Sequence, residues 1–188
     1  LVVVSAPSGA GKTTLCKKLL EEFPNLVLSI SCTTRQKRFN EEEGRDYFFL
    51  SKEDFEKKIA AGGFAEWARV HDNLYGTSKE FIEKAFKAGK SLLLDIDVQG
   101  AESLRKAYPK DTLRVFIAPP SIKALEQRLI DRGTDDARTI QRRLNNARHE
   151  MEKAKEFDHV VVNDSLEQAY HDLSLIVRGR LASSPSRK

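Results

Sequence analysis

The residues in this chain most able to handle phosphate are Ser5-Ala6-Pro7-Ser8-Gly9-Ala10-Gly11-Lys12-Thr13-Thr14. Gly9 and Gly11 let main chain approach an anion closely. Successive backbone N–H groups and a helix N-terminus then cradle phosphate oxygens, and Lys12 adds a movable positive charge. The Thr13 hydroxyl stands where it can ligate a Mg²⁺ ion bridging the terminal phosphates of a nucleotide. The stretch therefore has the features of a P-loop. The full pattern opens with Gly six residues before the Lys, and Ala6 stands there instead. Alanine is tolerated at such a position where φ is negative. The bland alternative is an ordinary strand-to-helix turn rich in small residues.

Two further groups are of the right type. Asp95 follows Leu92-Leu93-Leu94 and resembles the second acid of P-loop enzymes, which holds Mg²⁺ directly or through water. Its structural alternative is a strand-end carboxylate capping the next helix. Between Arg128 and Arg148 lie Arg128, Arg132, Arg138, Arg142, Arg143 and Arg148. At ~100° per residue, Arg128 and Arg132 fall on or beside the Leu125/Leu129 stripe, so they must reach past the buried face towards something anionic. Gly133 follows as a flexible joint, which makes this segment look like a closing lid. Arg132 could instead complement a helix C-terminus. For Arg138, Arg142 and Arg148 a solvated helix face serves as well.

These groups must be positioned by the elements around them. Leu1 to Val4 is an apolar run of the kind that forms a buried parallel strand, and Leu15, Cys16, Leu19, Leu20 and Phe23 share one helical face. Leu26–Ile30 forms a second strand, 35–44 a charged loop, and 47–50 a short strand. Ser51 caps a helix to Ala61, Phe64–Val70 is a strand, and His71-Asp72-Asn73 turns. Thr77 and Glu80 form a capping box for a helix to Ala88. Strands at 91–97, 112–118 and 159–162 alternate with helices at 99–107, from Ser121, after Asp136 and from Ser165. Strands alternating with helices make a parallel sheet covered on both faces. Residues 31–80 break that alternation and form an inserted subdomain with its own small sheet. The tail 183–188 is expected to be unstructured.

The composition is 188 residues, 40% hydrophobic and 32% charged, which fits a globular chain of one sizeable core. Its 32 Lys and Arg against 28 acids give a net charge of +4, which suits two phosphorylated ligands better than nucleic acid. No run reaches the ~18 apolar residues of a membrane span. The absence of a secretory signal, together with only Cys16 and Cys32, gives a reducing, cytoplasmic location as the expectation. The four histidines are scattered and suggest no metal cluster.

Several separated blocks together resemble the guanylate kinases, which phosphorylate GMP with ATP. They are Ser8-Gly9-Ala10-Gly11-Lys12-Thr13, Ser31-x-Thr33-Thr34-Arg35-x-x-Arg38, Gly44-x-Asp46-Tyr47, Phe64-x-Glu66-Trp67-Ala68, Tyr75-Gly76-Thr77, Leu94-Asp95-Ile96-Asp97-x-Gln99-Gly100 and Val162-Asn163-Asp164. The resemblance implies a P-loop α/β fold: a three-layer core over 1–31, 81–127 and 156–182, a GMP-binding subdomain at 32–80, and a helical lid at 128–150. It also implies that Arg35, Arg38, Tyr47 and Tyr75 hold the GMP phosphate. Glu66 would accept from guanine N1–H and the 2-amino group, and Ser31 would donate to O6. Gly76, Thr77 and Asp97 complete that pocket. Residues 6–14 with Arg132 and Asn163 would hold ATP, with Mg²⁺ at Thr13 and, through water, Asp95. Lys12, Arg35, Arg128, Arg132 and Arg143 would carry the catalysis, giving ADP and GDP, with dGMP also accepted.

From the residues alone, Glu66 points either to solvent or to a ligand, and Tyr47 and Trp67 could be core aromatics, the better reading for Trp67. The family commonly has Pro at Lys37, Gly at Asn40 and Tyr at Leu74, so loop geometry is where departures concentrate. Rival expectations are a guanylate-kinase-like phosphopeptide-binding scaffold module and a P-loop kinase for another small molecule. A regulatory GTPase is disfavoured because the chain has no Asn-Lys-x-Asp. Both monomer and homodimer are compatible with the sequence.

Overall fold

A computed structural model describes residues 1–70 and 72–183. The chain opens with β1 (Val2–Ser5), α1 (Lys12–Glu22), β2 (Leu26–Leu28), β3 (Cys32–Thr33), β4 (Phe48–Phe49) and α2 (Lys52–Ala60). It continues with β5 (Phe64–Val70), β6 (Asn73–Ser78), α3 (Lys79–Lys87), β7 (Ser91–Asp95) and α4 (Val98–Ala107). The remainder is β8 (Leu113–Ala118), α5 (Ile122–Asp131), α6 (Ala137–Lys153), a 3-10 turn (Ala154–Glu156), β9 (His159–Val162) and α7 (Leu166–Ser183).

Five parallel strands in the order β2-β7-β1-β8-β9 form the central sheet. Because successive side chains on a strand point to opposite faces, β1 feeds two cores at once. Val2 and Val4 pack with Leu15 and Leu19 of α1 and Leu173 and Val177 of α7. Val3 lies on the other face with Ile82 of α3 and Ala101 and Leu104 of α4. Each such fully buried aliphatic side chain contributes about 1.5–3 kcal/mol by leaving water. The result is a three-layer α/β fold around a parallel sheet, as the alternation of elements predicts.

A second, mixed sheet has the order β4-β3-β6-β5. Its own cluster is Cys32, Phe55, Phe64 and Leu74, with Phe55 and Phe64 stacked at 4.3 Å between ring centroids. Ser51 caps α2 by accepting from the Asp54 N–H at 3.0 Å. A fourth cluster, Leu125, Leu129, Leu144 and Ala147, joins α5 to α6 across the Gly133 break, where φ is +65°.

Some local expectations change in three dimensions. Thr77 is a strand residue whose hydroxyl is used elsewhere, and Ser78 is the N-cap residue of α3, without a side-chain cap bond. The strand expected over 91–97 ends at Asp95, because Asp97 turns to cap α4 and accepts the Gly100 N–H at 2.7 Å. Trp67, expected in the core, is 48% exposed: β5 is an edge strand and its neighbour Glu66 takes the inward position. The turn at His71 falls partly outside the described residues. Ser183, counted in the expected tail, closes α7, and 184–188 lie outside the described residues.

Candidate active site

The P-loop leaves the carboxyl end of β1, where ligands of open parallel sheets bind. Gly9 and Gly11 adopt φ of +93° and +92°, values that side-chain-bearing residues rarely take. Gly11 is also the N-cap residue of α1 and offers no side chain to its first turn, so those N–H groups face outward for an anion. Ala10 N–H donates to Pro7 C=O at 3.0 Å, closing the turn. Ala6 sits half-buried against the main core and leaves the loop intact.

Register carries the next residues in. Val4 of β1 pairs with Asp95 of β7, so the Asp95 carboxylate lies beside the loop and forms an ion pair with Lys12 Nζ. Thr13, in the first turn of α1, is exposed. Just beyond β9, Asn163 is 5% exposed and its Nδ2 donates to Ala10 C=O at 2.8 Å. A Cβ at Gly11 would stand 2.2 Å from that Nδ2, so Gly11 is needed for this close approach as well as for its φ. From α6, Arg143 donates to Ser8 Oγ at 3.0 Å and pairs with Asp135 at 3.0 Å.

The lid arginines do not act alike. Arg143 touches the P-loop. Arg132 is the exposed C-cap residue of α5; its backbone N–H donates to the Arg128 carbonyl at 3.3 Å, and its guanidinium makes no hydrogen bond or ion pair among the described residues. Arg128 donates to the Asn163 carbonyl at 2.8 Å and so braces the Asn163 loop.

A second cluster centres on Glu66, 9% exposed. The β5–β6 register shifts between Phe64 and Glu66, and such a bulge re-aims side chains. Phe64 thereby enters the subdomain core while Glu66 turns towards α4. Its Oε1 accepts from Thr77 Oγ1 at 2.5 Å, and its Oε2 lies 3.2 Å from where a Cβ on Gly100 would be. Burial raises the Glu66 pKa above the usual carboxylate range, with the Thr77 bond opposing and the Asp97 charge adding to it. Gly76 pairs with Trp67, next to this bulge, and a Cβ there would stand 3.0 Å from the Glu66 carbonyl, Phe64 and Trp67, so its lack of a side chain allows close strand packing. Ser31, half-buried, fixes β4 by accepting the Phe48 N–H on its carbonyl at 2.9 Å.

A third cluster lies on the charged loop after β3. Arg35 sits over the Tyr47 ring at 5.4 Å, and Tyr47 meets Tyr75 edge-on at 6.0 Å. Arg35 donates to Glu41 at 2.7 Å and to the Gln36 carbonyl at 2.8 Å. Arg38 is exposed, with its backbone N–H donated to Glu41 at 2.9 Å. Burial raises the Tyr47 phenol, and the charges of Tyr75, Arg35, Glu41 and Asp95 all act on it.

Three acids stand at these clusters that the sequence did not single out: Glu41, the Asp135 partner of Arg143, and Glu150 on α6, two helical turns beyond Arg143, half-buried and raised by burial while the Lys12 charge lowers it.

The arrangement brings together a glycine-rich P-loop with Lys12 at its end, a cluster of arginine and tyrosine side chains after β3, and a buried carboxylate at Glu66. The guanylate kinase family profile matches residues 1–179. The guanylate kinase of Thermotoga maritima is 47% identical over 182 residues, covering 97% of this chain and 87% of the relative. That of Chromobacterium violaceum is 50% identical over 186 residues, covering 98% and 88% respectively. A crystal structure of guanylate kinase from Anaplasma phagocytophilum aligns with a TM-score of 0.75 at 33% identity, over 100% of this chain and 88% of that one. With the profile running unbroken from β1 through all three clusters, the chain belongs to the guanylate kinase family.

Proposed function

We propose that this chain transfers the γ-phosphoryl group of ATP to GMP, and to dGMP by the same base contacts, giving ADP and GDP in purine nucleotide metabolism. The observation that carries this reading is Glu66: a buried carboxylate beside Thr77, in a chain whose P-loop binds the donor. Guanine presents paired N1–H and 2-amino donors to such an acceptor, with Ser31 donating to O6 and Asp97 closing the pocket. Adenine would set its own N1 acceptor against the carboxylate, a mismatch costing about 1–3 kcal/mol.

Arg35, Arg38, Tyr47 and Tyr75 hold the GMP phosphate, whose oxygen is already a competent nucleophile. Direct in-line transfer needs positioning and charge neutralisation, without a covalent enzyme intermediate. Lys12 leaves its Asp95 partner to neutralise the migrating group, assisted by Arg132 and Arg143. Arg128 acts through the Asn163 loop. The exposed Thr13 hydroxyl and the Asp95 carboxylate are hard oxygen donors that fit Mg²⁺ and would hold it, Asp95 through water. When bound, that ion offsets charge on the terminal phosphates of ATP. Movement of the lid, 128–150, and the subdomain, 32–80, over the core would exclude water and suppress ATP hydrolysis.

Intact donor-site chemistry at Lys12, Thr13 and Arg143 disfavours the phosphopeptide-binding scaffold alternative. Cys16 and Cys32 are free and buried, which fits a reducing, cytoplasmic setting. No helix among the described residues is long and apolar enough to cross a membrane.

The test is ADP release with GMP, dGMP, AMP, CMP and UMP. Turnover confined to the guanine nucleotides is expected. Equal rates across the bases, or none with GMP, would refute the proposal.

A further inference from the structure

A carboxylate inside an anion-binding loop works against the loop's charge, so Glu41 requires a reason. It is not a solvated surface partner: the Arg35 and Glu41 side chains are 17% and 13% exposed. Both of its oxygens are engaged. Oε1 accepts from Arg35 NH2 at 2.7 Å, and Oε2 accepts the Arg38 backbone N–H at 2.9 Å. The Glu41 N–H returns to the Arg38 carbonyl at 3.2 Å, closing the turn. Residues 36–40 between these anchors are all exposed, and Phe39 is fully so. Little packing holds this loop, and Glu41 is the side chain that ties its two arginines together.

The guanidinium of Arg35 is held on several sides. Glu41 takes one edge, the Gln36 carbonyl takes another N–H, and the rings of Tyr47 and Phe49 lie 5.4 and 6.0 Å from it. A planar fork restrained in this way loses little freedom when it meets a phosphate. The same contacts hold the Glu41 carboxyl below the usual carboxylate range, chiefly through the Arg35 bond and next through Arg38.

We propose that Glu41 is a positioning residue for the acceptor phosphate: its carboxylate locks Arg35 and the Arg38 backbone into one turn, so that both arginines present to a single phosphate group. This rests on the assignment of Arg35 and Arg38 to the GMP phosphate. Glu41 stays in place when phosphate binds, and its contribution is geometric, outweighing the negative charge it brings.

The experiment compares wild type with Glu41→Ala, Glu41→Gln and Glu41→Asp, using calorimetric binding of GMP and of guanosine together with steady-state kinetics. In Glu41→Ala, GMP affinity falls about tenfold or more, the loss expected when a charge-assisted pair is broken. Guanosine affinity and KM for ATP stay unchanged, and KM for GMP moves more than kcat. Glu41→Gln falls between alanine and wild type although it makes the loop more positive, and Glu41→Asp recovers part of the affinity. GMP affinity in Glu41→Ala equal to or tighter than wild type would overturn the inference, because the carboxylate would then merely fill the phosphate's place. Equal loss for guanosine and GMP would also overturn it, by showing general collapse of the subdomain. Wild-type protein that binds guanosine and GMP equally would overturn the phosphate-site assignment itself, and this inference with it.

Discussion

Replacing Glu66 with Gln tests the guanine site with the smallest change in shape. The carboxylate has one oxygen on Thr77 Oγ1 at 2.5 Å and the other directed at α4, above Gly100. A hydroxyl both donates and accepts, so Thr77 can rotate to accept from the new amide nitrogen. The Gln carbonyl then takes one of the two guanine N–H donors and leaves the other without an acceptor. The loss is one hydrogen bond to a charged group in a buried site, about 2–3 kcal/mol. That corresponds to roughly a 30- to 150-fold fall in kcat/KM for GMP. KM for ATP should not change, because the P-loop contacts lie elsewhere. The amide can also donate to adenine N1, so turnover of AMP should rise and the GMP/AMP ratio should shrink from both sides. The assay is ADP release with each nucleotide varied at saturating ATP, and with ATP varied at saturating GMP. GMP kinetics unchanged within a factor of three, or an equal rise in KM for ATP, would refute the placement of guanine at Glu66.

Two other outcomes follow from the same geometry. Burial raises the Glu66 pKa, so protonation favours the folded state and this group's contribution to stability is lost as pH rises through its folded pKa. Guanosine needs the charged form, so its affinity should rise with pH across the acidic range and its binding should release a proton; guanosine avoids the phosphate ionisation near pH ~6, and calorimetry in two buffers checks it, with a flat profile in Glu66→Gln. Gly11→Ala places a methyl 2.2 Å from Asn163 Nδ2 at a φ of +92°, and overpacking of this kind costs about 1–3 kcal/mol; ATP affinity should drop about tenfold with guanosine binding retained, as titration of each ligand would show.

The donor half of the site was legible in the sequence because its parts are local. Gly9, Gly11, Lys12 and Thr13 are fixed relative to one another by a single strand-to-helix turn, and the φ values confirm what glycine at those positions permits. Asp95 was legible as well, since an apolar run ending in an acid marks a buried strand's carboxyl end, and register with β1 then carries it to Lys12.

What the sequence could not decide depended on partners far along the chain. The Thr77 hydroxyl can cap a helix or bond across strands with equal local propriety. The bulge between Phe64 and Glu66, opposite Thr77 and Ser78, settled it by turning Glu66 inward and leaving Trp67 exposed. Arg128 shows the complementary case: its helix face is readable, but its target, the Asn163 carbonyl, exists only once β9 lies beside β8. Glu41 was one acid among several in a charged loop until folding gave both its oxygens donors. By itself the sequence determined the alternation of strands and helices and the P-loop, because periodicity and glycine conformations act within a few residues. Only the tertiary structure decided which oxygen meets which donor, because side-chain pairing follows strand register and loop closure across the chain.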